Sequence, residues 1–146
     1  METVQLNIQS FIYIAGLAQL GLVIGSVAIP KILNWKIELQ KVQPLIKQMF
    51  WTYAAYILVI NLCFGLLSVF VVQDLTNGSR LAMILTGFIA VYWISRVWIQ
   101  FFYFDRNNFP KGKWNMLGEI ILVALFVFLS GVYGWTFYLN YQQAAL

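Results

Sequence analysis

Hydrophobic residues come in four long runs, and most of the charges fall between them. No charged residue lies between Glu2 and Lys31. At about 1.5 Å per residue, residues 11–29 suffice to cross a hydrocarbon layer of about 30 Å. The chain is again uncharged between Lys47 and Asp74, and two further runs, 81–104 and 117–141, are interrupted only by Arg96 and Glu119. The pattern predicts an all-α membrane protein, a four-transmembrane-helix bundle. Its spans are expected at about 10–30, 48–72, 80–104 and 116–141, in one integral membrane domain covering 1–146. The first run lacks the basic start of a cleaved signal, so it is expected to remain as a span.

A different period marks the connection between the first two spans. Trp35, Leu39, Val42, Ile46 and Met49 recur at steps of four and three, one face of a helix, while Lys31, Glu38 and Lys41 lie off that face. The expectation is a short amphipathic helix at the cytoplasmic surface, broken before Pro44, which can open the second span because a helix start needs no amide hydrogen there. A plain extension of the neighbouring helices fits the same stripe. The segment NWKIELQ also alternates as a strand would, but the helical pattern runs longer.

Composition bears out the need for lipid. Hydrophobic residues make up 62% of the chain and charged residues 10%, too few to cover a soluble globule of 146 residues without aggregating patches. Charge position sets the orientation. The first connection carries Lys31, Lys36, Lys41 and Lys47 and the third Arg106, Lys111 and Lys113, against Arg80 alone in the second and no Lys or Arg at either terminus. Cytoplasmic loops concentrate Lys and Arg, so these two connections are expected in the cytoplasm and both termini outside it, in a multi-pass protein of the cell membrane. The net charge of +4 then follows from topology, and nucleic-acid binding, which needs a gathered basic face, is set aside. Trp51, Tyr103 and Trp114 fit an inner interfacial belt, and Tyr13, Trp135 and Tyr138 an outer one.

Chemistry is narrowed by what is missing. With no histidine and only Cys63, imidazole ligation, His-based catalysis, thiolate zinc sites and an internal disulfide are all excluded, and no metal or cofactor is expected. The polar positions within the spans therefore carry the interest. Ala18, Gly21, Gly25 and Ala28 form a small-residue face on span one, read first as packing within the bundle and second as a dimer face. Gln19 and Asn61 lie near mid-membrane, where an amide needs a partner, and read as helix-packing groups; Asn61 shares its face with Ala54, Gly65 and Ser68.

Span three is the most informative. Tyr92, Trp93, Arg96, Gln100 and Tyr103 share one face, and a charge at such depth costs about 2.5–3.5 kcal/mol unless it turns inward to a partner. Glu119, near the cytoplasmic start of span four, is the obvious carboxylate, so Arg96, Gln100, Glu119, Tyr92 and Tyr103 are expected as one buried polar cluster, either a registry device or a ligand site. The leading functional expectation is a non-enzymatic subunit acting through intramembrane interfaces, with membrane lipids and either a second copy or another membrane protein as partners. A transporter or channel component using Arg96 is the alternative, and a lipid-modifying enzyme using Glu119 ranks last.

Overall fold

A computed structural model describes residues 2–104 and 112–145, with side chains from Leu6 onward; Arg106 and Lys111, counted above for orientation, lie outside the described residues. Seven α-helices follow in order: α1 (Glu2–Ser26), α2 (Ile29–Ile32), α3 (Trp35–Glu38), α4 (Pro44–Phe70), α5 (Val72–Leu75), α6 (Arg80–Phe102) and α7 (Lys113–Ala144), and the described residues contain no strand. Four segments are long and apolar enough to span a bilayer: α1 continued through α2, and α4, α6 and α7. Their outward surface is apolar, with Ile24, Phe70 and Leu81 among many exposed large hydrophobics, as a lipid-facing surface requires.

Local sequence explains where each helix begins and stops. Pro44 stands in the first turn of α4 and holds Gln43 extended at φ −55°, ψ 144°, so no helix can run through from the preceding segment. Ser79 caps α6 by accepting a hydrogen bond from the Ala82 amide at 3.1 Å. The turn before it uses Gly78 at φ +71°, a left-handed conformation that glycine adopts without a side-chain clash. The segment expected as one amphipathic helix is divided. It forms the single turn α3, a 3-10 turn at Leu39–Lys41, and extended Val42 at φ −109°, ψ 148°; only Ile46 and Met49 of its apolar stripe continue into α4.

The spanning helices form two antiparallel hairpins, α1 with α4 and α6 with α7, joined chiefly along α1 and α7. In the first hairpin the closest approach is at Gly16 and Gly65: a Cβ on Gly16 would lie 2.9 Å from Ser68 Cβ and Val69 Cγ2, and one on Gly65 2.9 Å from Leu20 Cδ2. The expected packing glycines, Gly21 and Gly25, are instead exposed, with nothing within 4 Å of an added Cβ. By the 3.6-residue period they point about 140° and 180° away from Gly16, so they lie on the side of α1 turned from α4. The core between the hairpins is built from Ile12, Phe64, Ile89, Trp93, Phe126 and Leu129, all buried. The backbones of α4 and α6 stay apart and meet through rings, Phe64 lying edge-on to Phe88 at 6.0 Å and to Tyr92 at 5.3 Å.

Antiparallel pairing gives the bundle two distinct ends. Gln9 of α1, the 76–78 turn and Asn140 of α7 bond to one another at the end that holds both termini. The lysine-rich 27–43 segment, the last turn of α6 and the first turn of α7 share the opposite end.

Candidate functional site

Two polar groups sit within the bundle, one at mid-height and toward the termini, the other toward the lysine-rich end. The first is built on the inward face of α7, where Phe126, Leu129, Tyr133, Thr136 and Asn140 recur at steps of three and four and are all buried. Tyr133 is fully buried, and its hydroxyl meets Gln19 of α1 and Ser68 of α4, each at 2.5 Å. The single Ser68 hydrogen is donated to the Phe64 carbonyl at 2.8 Å, so the tyrosine donates to the serine and accepts from the Gln19 amide. A directed chain of hydrogen bonds thus runs from the Gln19 amide nitrogen of α1 through Tyr133 of α7 to Ser68 of α4, all three residues buried.

One and a half turns to two turns further along α7, Asn140 plays a comparable part for the 71–79 linker. Its amide nitrogen donates to the Leu75 carbonyl at 2.8 Å and to Thr86 Oγ1 at 3.3 Å, while its oxygen accepts from the Gly78 amide at 3.1 Å. Gln9 donates to Thr76 Oγ1 at 3.3 Å and adds α1 to the same end. Among the described residues, three buried side-chain polar atoms have no hydrogen-bond partner: Gln19 Oε1, Asn61 Oδ1 and Trp93 Nε1.

The second group holds the residues singled out on span three, and the structure separates them into two pairs. Arg96 is half-buried; its guanidinium donates to the Tyr92 hydroxyl at 3.3 Å and lies over the same ring, 5.6 Å from the centroid. Gln100, one turn on, is buried and donates to Glu119 Oε1 at the long distance of 3.5 Å. Arg96 and Glu119 form no ion pair. Among the described residues the only one is Lys41 with Glu38 at 3.5 Å, both exposed. The shortfall has a geometric cause: Gln100 lies at the level of Glu119 and engages it, whereas Arg96 lies a turn away along α6 and folds back onto Tyr92, four residues earlier. Tyr103 does not join them; it is 75% exposed beyond the end of α6.

Of the groups read as helix packing, Gln19 and Asn61 are buried as an intramembrane amide must be, while Gly21 and Gly25 face outward. Sequence reasoning paired Gln19 and Ser68 with no particular residue and passed over Tyr133 and Asn140. The period on span four that places Tyr133, Thr136 and Asn140 on one face was there to be used. Among the described residues, no group of three His, Cys, Asp or Glu side chains could hold a metal ion.

What the second group can do follows from its incompleteness. A guanidinium at this depth retains most of its five donors for an incoming acceptor, and Glu119, also half-buried, retains lone pairs not used by Gln100. The two charges lie on neighbouring helices of one hairpin, and both are half-buried. No known protein family, curated protein or solved structure matches the chain.

Proposed function

We propose that this protein is a non-enzymatic membrane subunit that assembles through the side of its α6/α7 hairpin, with a second copy of itself as partner. Arg96 of one copy reaches Glu119 of the next, and the reverse pair forms across the same two-fold axis. The observation that carries this reading is the Arg96 guanidinium, half-buried within an apolar helix long enough to span, with one tyrosine and, among the described residues, no carboxylate within 4 Å. A charge so placed is costly and finds its partner elsewhere. An axis along the membrane normal keeps both residues at their own depths, and the turn between them, about 5 Å, is within reach of an arginine side chain. The exposed Gly21 and Gly25 strip offers a further close contact for a neighbouring helix. In this reading the lysine-rich end faces the cytoplasm and both termini lie outside it, because Lys31, Lys36, Lys41, Lys47 and Lys113 gather at one end and Arg80 lies at the other.

The test is extraction in native lipid followed by measurement of assembly size. The wild-type chain is expected as a multimer and Arg96→Leu as a monomer; a wild type that is monomeric at all concentrations removes the proposal. The separation of Arg96 from Glu119 also favours a second reading, in which the space beside them admits an amphiphile bearing a carboxylate. Liposome flux of such a compound, abolished in Arg96→Leu while assembly size is unchanged, would select that reading.

A further inference from the structure

We infer that the hollow between α2, α3 and the start of α4 is a binding site for the headgroup of an anionic phospholipid. The hollow has a volume of about 530 Å3 and receives Lys31, Lys36 and Lys47 together with Asn34 and Trp51. Chain geometry brings these residues together. Asn34 is the one non-glycine described residue with positive φ, at φ 49°, ψ 39°, and this left-handed turn reverses the chain so that Lys31 before it and Lys36 after it line the same space. Lys47 enters from the first turns of α4, four residues before Trp51, and is half-buried. The wall is fixed by aromatic packing, Trp35 lying edge-on to Phe50 at 4.7 Å and to Trp51 at 5.6 Å, which ties α3 to α4.

Among the described residues the charge in this hollow is uncompensated. Glu38, the carboxylate of this segment, engages Lys41, which does not line the hollow, and none of the three lining lysines has a described carboxylate within 4 Å. Three ammonium groups around one space repel each other, and a phosphate placed among them offsets that repulsion while accepting hydrogen bonds from each. Asn34 adds an amide donor for a headgroup oxygen. A lipid is favoured over a free anion by the apolar side of the same site. Trp51 is 42% exposed and Ile37 58% exposed. They stand where α4 enters its apolar stretch, the level at which tryptophan and lysine meet lipid headgroups. Acyl chains of a bound lipid would continue along the apolar surface of α4.

The experiment is native mass spectrometry of the full chain in detergent, titrated separately with phosphatidylglycerol, phosphatidylcholine and inorganic phosphate. The wild type is expected to hold one phosphatidylglycerol more tightly than any phosphatidylcholine, and excess inorganic phosphate is expected not to displace it. The triple variant Lys31→Gln, Lys36→Gln, Lys47→Gln should weaken phosphatidylglycerol binding at least about tenfold, given roughly 1 kcal/mol for each basic residue near a lipid phosphate. Arg80→Gln, at the opposite end of the bundle from the hollow, should leave it unchanged. Lys36→Gln alone, at an exposed position with no internal bond, should weaken binding about three- to fivefold and stands in if the triple variant does not fold. Equal phosphatidylglycerol affinity in the lysine variants, or equal binding of phosphatidylcholine, overturns the assignment. Full displacement by inorganic phosphate also overturns it and would assign the hollow to a free anion.

Discussion

The half of the bundle toward the termini and the half toward the lysine-rich end treat their polar residues in opposite ways. In the first, Tyr133 and Asn140 gather partners from α1, α4, α6 and the 71–79 linker, and every bond they make closes inside the chain. In the second, the only side-chain hydrogen bond between described spanning helices is Gln100 with Glu119, inside one hairpin, and Arg96 bonds back to its own helix. Both halves are apolar outside, so the contrast lies in connectivity. One half ties the hairpins together; the other leaves two half-buried charges unpaired among the described residues. An intramembrane bond closed within the chain adds stability, whereas an intramembrane charge without a partner adds cost, which is the ground for proposing a second copy.

The contrast can be broken most forcefully at Asn140. Asn140→Ala removes three bonds and strands the Gly78 amide and the Leu75 carbonyl, and should lower stability by about 2–3 kcal/mol, read from thermal or denaturant unfolding in detergent. Tyr133→Phe keeps the ring and deletes the junction of the chain from Gln19 to Ser68, for an expected loss of about 1–2 kcal/mol. Gly16→Ala presses a methyl group onto Ser68, Val69 and the Gly65 carbonyl of α4 and should cost about 1 kcal/mol after the helix-propensity gain, whereas Gly21→Ala, with open space around it, should keep that gain and raise stability by about 0.5–1 kcal/mol. Arg96→Leu should leave unfolding of the isolated chain within about 0.5 kcal/mol of wild type, because it removes one long hydrogen bond and one ring contact while relieving a costly charge.

The four spans were legible because lipid imposes a simple rule: about twenty apolar residues per crossing, with charges between crossings. The buried side of α4 was legible for the same reason, since Asn61, Gly65 and Ser68 are the small and polar positions of an otherwise large apolar helix. The partners of those groups were not. Tyr133 lies among aromatics that look alike in sequence, and only the crossing of α1, α4 and α7 tells which ring carries a bonded hydroxyl. The glycines show the same limit. Gly21 and Gly25 share a small-residue face that Gly16 is not on, yet the fold turns the Gly16 side of α1 to α4 and leaves that face outside. Arg96 was recognisable as unusual from its depth, and Glu119 as the available carboxylate. Residue spacing gives the offset that puts Gln100, and not Arg96, level with Glu119; it does not give the way the arginine folds, back onto Tyr92 instead of down to the carboxylate.

Mixed assembly of two charge-altered chains tests most directly whether Arg96 finds its carboxylate in another copy. Arg96→Glu places two acidic groups at the α6/α7 side and Glu119→Arg places two basic ones, so each variant repels its own kind and complements the other. Coexpressed with different tags and extracted in native lipid, the two are expected to be recovered as a mixed assembly, while each expressed alone is monomeric. Recovery of each variant as its own multimer, with no preference for the mixed pair, would contradict an intermolecular Arg96–Glu119 contact.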